Sequence, residues 1–103
     1  MLIITMDSIP GRTLEPLGLV KGSTIQTVNA VRDIGAGQKT LIGGELTKYN
    51  EMMDKARQIA TDRMIDEARR LGADAIVGVR FSSASIMQSA AEIMAYGTAV
   101  RFG

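Results

Sequence analysis

The chain has 103 residues, a net charge of +1, and neither cysteine nor histidine. Its length suits one domain, which we expect to span residues 1–103. The near-neutral charge and the few aromatic residues argue against nucleic-acid binding. A disulfide framework and a zinc site of sulfur and imidazole ligands are excluded. The N-terminus lacks the features of a signal peptide and no run is long enough to span a membrane, so we expect a cytoplasmic protein with no membrane contact.

Two strands are predicted in the first third of the chain. Residues 2–5 form a short apolar run, and residues 17–28 mix β-branched residues with glycine in an imperfect alternation. A bulge is expected at Gly22. Asn29 suits the N-cap of a short helix over residues 30–34. The loop at residues 35–40 lacks the glycine before Lys-Thr that a phosphate-binding loop needs, which favours a plain connector.

One long helix is the clearest element of the sequence. Apolar residues recur at steps of three and four over residues 45–71, with Ile59 near the middle of the stripe. Arg69 and Arg70 lie near the negative end of the helix dipole. Gly72 follows as a natural C′ residue. The pattern predicts an amphipathic helix whose apolar side packs on a sheet.

Two further strands are predicted after the helix, over residues 75–82 and 92–102. Strict alternation would place Val77, Val79 and Phe81 on one face of the first of them. In the second, small side chains make one face unusually flat, which invites the close approach of another backbone. We expect a neighbouring subunit there. The residues of this flat face are Ala95, Gly97 and Ala99.

The order of strands and helix predicts a two-layer α/β (α+β) domain. Its sheet is small and mostly antiparallel, and the long helix packs on one face. One helix covers one face only, so the apolar residues of the other face need a partner. Head-to-tail contact between identical subunits either closes into a ring or continues as a filament. We therefore expect a self-associating protein that forms a closed ring.

No catalytic constellation is present. The serines have no histidine partner, and no pair of carboxylates has a spacing that indicates a cleft. Glu92 begins an apolar strand, so its carboxylate either lies on an exposed rim or pairs with Arg80 on the neighbouring strand. The sequence therefore favours a non-enzymatic role, and no motif identifies a cofactor.

Several segments together resemble the YbjQ-like family of small bacterial and archaeal domains. Residues 72–81 (GADAIVGVRF) and 92–100 (EIMAYGTAV) carry most of the resemblance. It extends over nearly the whole chain through further matching positions, which are Gly18, Leu19, Val20, Asn29, Arg32, Asp33, Gly43, Gly44 and Glu45. The resemblance implies a two-layer subunit similar to the dodecin-like group, assembled into a homopentameric ring.

The YbjQ-like family is labelled as heavy-metal-binding. Because this chain has no cysteine or histidine, only oxygen and thioether ligands are available to it. The first hypothesis is a ring-forming binding or scaffold protein, with a small ligand at the subunit interfaces or in the pore. The alternative is a metal-binding protein that uses oxygen ligands, for which Asp33, Glu45 and Glu92 are the candidates.

Overall fold

A computed structural model of the protein describes residues 1–27, 44–87 and 90–103, without the side chains of residues 44–46, 48 and 49. These residues form a four-stranded sheet with one long helix on one face, which confirms the predicted α+β two-layer class. The predicted short helix at 30–34 and the loop at 35–40 lie outside the described residues. In chain order the elements are β1 (Leu2–Ile3), β2 (Leu14–Thr27), α1 (Gly44–Arg70), β3 (Ala75–Met87) and β4 (Ala90–Phe102).

The strands lie in the order β1-β3-β4-β2. The β1 strand runs parallel to β3, whereas β2 and β3 are both antiparallel to β4. The two outer strands of the described sheet are therefore β1, which is only two residues long, and β2, which is fourteen residues long. Backbone bonds to Ile4 and Met6 continue the β1 pairing as far as Val79, and beyond that residue β3 is the edge of the described sheet.

The helix ends as its sequence predicts. Gly72 has a φ of +76°, the left-handed conformation that glycine adopts without steric cost. Its N–H donates to the carbonyl of Arg69 at 3.0 Å, and the N–H of Ala73 donates to that of Ala68 at 3.1 Å. These two bonds form a Schellman motif, and Ala73 packs against the core beneath it.

The buried stripe of α1 differs slightly from the predicted one. Small residues at i, i+4 spacing lie fully against the sheet, together with Met64, whereas Ile59 is only partly buried at the margin. The stripe is narrow because α1 lies very close to the sheet and leaves little room beneath it for large side chains. Its fully buried members are Ala56, Ala60, Met64 and Ala68.

The closest approach of α1 to the sheet is at Gly22. An ideal Cβ atom on this residue would lie 2.2 Å from the carbonyl oxygen of Ala60 and 2.3 Å from the backbone nitrogen of Met64. The expected bulge at Gly22 is therefore wrong: this residue pairs regularly with Ala95, and the bulge lies between Pro16 and Gly18. The glycine is required because the helix backbone occupies the space of a side chain.

A second bulge changes the faces of β3. Gly78 has a φ of +62°, and the register with β4 shifts by one residue between Val77 and Arg80. Val77 therefore packs in a small cluster on the face opposite α1, whereas Val79 packs under the helix. The expectation that both point the same way is wrong, because it assumed an unbroken alternation.

The flat face of β4 is covered from within the same chain. Ala95 and Ala99 are fully buried in the core beneath α1. A Cβ on Gly97 would lie 2.9 Å from Cγ2 of Ile76 and 3.0 Å from the carbonyl oxygen of Val77. The close approach expected of this stripe is real, but its partners are α1 and β3 and not a neighbouring subunit.

Among the described residues, the cover on the opposite face of the sheet lies at one end. There the chain before β2 crosses the sheet and packs on a small cluster of Ala75, Val77 and Val100. Backbone bonds from Ile4 and Met6 to the β3 bulge hold this segment in place. Leu19 and Ile25, further along the same face, remain 68% and 57% exposed. We call the uncovered remainder the open face.

Gly22→Ala tests the contact between α1 and β2. The added methyl would overlap the helix backbone, which cannot rotate away as a side chain can, so we expect a loss of about 2–4 kcal/mol in the free energy of unfolding. Urea denaturation followed by circular dichroism measures it. Ser23→Ala, at the next residue, is the matched control and should cost less than about 0.5 kcal/mol. Equal stability of the two variants would contradict the contact.

Gly97→Val tests the buried position of the small-residue stripe. The isopropyl group would collide with Ile76 and with the backbone of β3, so we expect the subunit itself to lose stability, by about 2 kcal/mol or more. Thermal melting followed by circular dichroism, with light scattering on the same samples, checks this. A variant that melts like the wild type but has a smaller mass would show that the stripe faces a neighbouring subunit instead.

Candidate functional site

A groove of about 310 Å³ lies between the N-terminal half of α1 and the distal parts of β3 and β4. It exists because α1 lies mainly over β2 and β4 and packs on β3 only in the first half of that strand, where Ile76 and Val79 are buried. The resulting gap has an apolar floor and one apolar wall, with backbone and hydroxyl groups of serine at its rim. The lining residues are Met53, Arg57, Phe81, Ser82, Ser83, Ala91 and Ile93.

Among the described lining residues, Arg57 supplies the charged group of the groove. Its Nη2 atom bonds the carboxylate of Asp54 one helical turn earlier, and its side chain is 43% exposed. A surface pair of this kind is weak and exchanges partners readily. Arg57 therefore supplies hydrogen-bond donors at the rim of an otherwise apolar groove, which suits a ligand with an apolar body and a polar or anionic end.

Phe81 forms the outer wall of the groove and is 54% exposed. It lies opposite Ala95 on β4, on the helix side of the sheet. Met53 belongs to the apolar stripe predicted for α1, and it packs against the edge of the core. The sequence did not predict the groove, because nothing in its pattern shows that the helix lies to one side of β3. The exposed Phe81 leaves the groove open along the edge of the sheet.

A second cavity of about 290 Å³ lies on the opposite side of the sheet, beneath the N-terminal segment. Of the described residues that line it, Asp7 is the one with a charge, and its Oδ1 lies 3.2 Å from the position that a Cβ on Gly78 would take. The other lining residues are mostly apolar parts of β2, β3 and β4. The polar groups of this cavity can hold a few water molecules, but they are too few to orient a larger ligand.

The three candidate metal ligands are not brought together by the described residues. Asp33 lies outside them. Glu45 lies in the first turn of α1, and its side chain is outside the description. Glu92 is partly buried in the middle of the sheet, opposite Ala84 and Ile25. Within residues 1–27, 44–87 and 90–103, no three acidic side chains cluster. Metal binding by these residues stays a prediction.

Of the two alternatives given for Glu92, the pairing with Arg80 is wrong. Arg80 lies opposite Tyr96, four residues along β4 from Glu92. Its Nη1 atom donates to the carbonyl of Thr5 at 2.8 Å and to that of Val79 at 3.0 Å. Arg80 thus fastens the N-terminal segment to the bulge, and its role is structural.

Comparison with known proteins agrees with this fold. A family model with the description "Putative heavy-metal-binding", that of the YbjQ family, matches residues 1–103. The chain belongs to this family. The match covers the bulge and the groove as well as the core, and it confirms the resemblance that residues 72–81 and 92–100 carry.

Relatives in this family have lengths similar to that of the present chain. The chain is 52% identical over 101 residues to a UPF0145 protein of Clostridium novyi, and the alignment covers 98% of both chains. It is 53% identical over 102 residues to one of Thermus thermophilus, covering 98% of this chain and 90% of the relative. A UPF0145 protein of Alkaliphilus metalliredigens is 54% identical, with 99% of both chains covered.

A crystal structure of a protein with unknown function from Pediococcus pentosaceus, described as a member of the DUF74 family, has the same fold. The TM-score is 0.71 at 18% sequence identity, covering 100% of this chain and 98% of that one. In the described part of the present chain, no helix combines the length and apolar character needed to cross a membrane.

Proposed function

We propose that the protein is a ring-forming homo-oligomer that binds a small ligand in the groove beside Phe81, where a neighbouring subunit completes the site. Its role is binding or scaffolding, and it acts in the cytoplasm. The observation that carries the proposal is the position of two exposed apolar surfaces on opposite faces of one sheet.

The first of these surfaces surrounds the groove on the helix side and includes Phe81. The second is the open face, where Leu19 and Ile25 are more than half exposed. A single chain cannot bring the two together, because the sheet separates them. Contact between unlike surfaces of identical chains is head-to-tail, and in a protein that does not form fibres such contacts close into a ring. Five subunits is the number that the family resemblance implies.

The chemistry of the groove indicates the class of ligand. Its volume lies at the lower end of the range for small-molecule sites, and its apolar lining with few polar groups is typical of them. Arg57 and the serines at the rim would bind a polar or anionic end, while Met53 and Ile93 contact an apolar body. A neighbouring subunit beside Phe81 would close the side that is open in one chain.

Sedimentation equilibrium at several micromolar concentrations tests the assembly. We expect a mass several times the 11.0 kDa of one chain, with five as the expected number, and little dependence on concentration. A mass of one chain would contradict the whole proposal. A stable dimer or hexamer would contradict only the pentamer.

A thermal-stability screen of small carboxylic acids with apolar chains tests the groove. A compound that binds the folded protein raises the melting temperature by mass action. We expect Phe81→Ala to reduce the response to any such compound, because it removes one wall. Ile86→Ala is the matched control, since Ile86 has similar exposure (48%) and does not line the groove. An equal response in both variants would place the compound elsewhere.

A further inference from the structure

The carboxylate of Asp54 lies beside the groove, although Asp54 is not among the residues that line it. It comes one helical turn before Arg57 on α1 and accepts a hydrogen bond from Nη2 of that residue. The Asp54 side chain is 74% exposed, whereas that of Arg57 is 43% exposed. The ion pair therefore lies across the rim of the groove, with its base on the groove side and its acid on the solvent side.

In the described part of the chain, Asp54 is the acid that meets the Arg57 guanidinium. A helix brings the residues at i±3 and i±4 beside a given side chain, and Asp54 is the charged one among these neighbours of Arg57. Across the groove, residues 81–91 contain no charged residue. Glu92 follows them, but it points to the opposite face of the sheet from Ile93, which lines the groove.

The Asp54 carboxylate uses the hydrogen-bond donors that the anionic end of a ligand would also need. A guanidinium binds a carboxylate most strongly through two parallel N–H donors. The bond to Asp54 joins one donor, Nη2, to one acceptor, Oδ1. Exposed ion pairs of this kind are weak. A ligand carboxylate whose apolar chain packs in the groove can therefore replace Asp54, but it has to compete with it.

We propose that Asp54 is an internal competitor of the ligand, which holds the Arg57 guanidinium and must be displaced before a ligand carboxylate binds there. This inference rests on the ligand site proposed above. Because Asp54 does not line the groove, it acts on the charged end of a ligand and not on its apolar body. Asp54 thus lowers the affinity for carboxylates, leaves the affinity for neutral compounds unchanged, and sets how strongly the site distinguishes the two.

NMR titrations with hexanoate and with hexanol test this competition, because the two probes share an apolar chain and differ in charge. Asp54→Asn removes the charge of the carboxylate and keeps its shape. We expect this variant to bind hexanoate with a Kd about two- to fivefold lower than that of the wild type, the range that an exposed ion pair contributes. The Kd of hexanol should not change. The resonances of Met53 and Phe81, which line the groove, report the binding.

Asp62→Asn is the matched control. It removes the same charge from the same helix, but Asp62 accepts its hydrogen bond from Gln58, at 2.9 Å, and not from Arg57. We expect wild-type Kd values with both probes, and wild-type melting temperatures for both asparagine variants, because both aspartates are exposed. In an Arg57→Gln background, Asp54→Asn should no longer improve hexanoate binding, since the guanidinium for which the two carboxylates compete is gone.

The outcomes separate this inference from the ligand site on which it rests. If hexanoate binds in the groove and Asp54→Asn and Asp62→Asn change its Kd equally, the competition is wrong and the ligand site stands. An equal gain for hexanol, or a gain for hexanoate that persists in Arg57→Gln, would overturn the competition as well. If neither probe shifts the groove resonances of the wild type or of any variant, the ligand site is wrong, and the competition with it.

Discussion

The contact of the α1 backbone with Gly22 is the constraint on which the rest of the structure depends. It brings the helix so close to β2 that the residues between them must be small, which explains the alanines on the buried side of α1 and at Ala95 and Ala99. Because the helix and sheet backbones are in direct contact, no side chain lies between them that could move to make room for added atoms. An added atom would therefore push the helix and the sheet apart. The core is consequently thin, and its stability depends on fit more than on the size of its side chains.

The position of α1 over β2 and β4 has a direct consequence for β3. A helix that lies mainly over two strands of a four-stranded sheet covers only the first half of the third strand, and here that strand extends beyond the short β1 as well. The groove beside Phe81 and the exposure of residues 81–87 are two results of this one displacement. The same geometry that makes the subunit thin thus creates both a pocket and an unpaired edge. A ligand site and a subunit interface next to each other would allow binding and assembly to influence one another.

Much of the fold could be predicted from the sequence because its periodicities are strong. The helix over residues 45–71, its end at Gly72 and the order of the elements follow from local rules of spacing and capping, and the structure agrees. One error follows from the bulge at Gly78. The bulge reverses the faces of half of β3, and alternation alone cannot show where a strand gains a residue. The two valines on either side of it, Val77 and Val79, were therefore placed on one face although they lie on opposite faces.

The candidate site was harder to predict than the fold. A stripe of small residues indicates close backbone contact but does not identify the partner, so Gly97 was assigned to a neighbouring subunit when Ile76 of the same chain packs against it. The groove depends on the sideways position of α1, a tertiary property that no residue of the sequence encodes by itself. One signal was available: the run at residues 81–91 has strand character and no charged residue, which is unusual for a surface strand.

The accessibility of position 81 in the assembled protein tests the central claim most directly. Phe81 is 54% exposed in one chain, and the wild-type chain has no cysteine, so Phe81→Cys can be labelled with a maleimide. The account predicts that Phe81→Cys reacts much more slowly at micromolar concentration than Lys55→Cys, which lies at an exposed position of α1, because a neighbouring subunit covers the groove. Equal rates of labelling for the two variants would contradict the account.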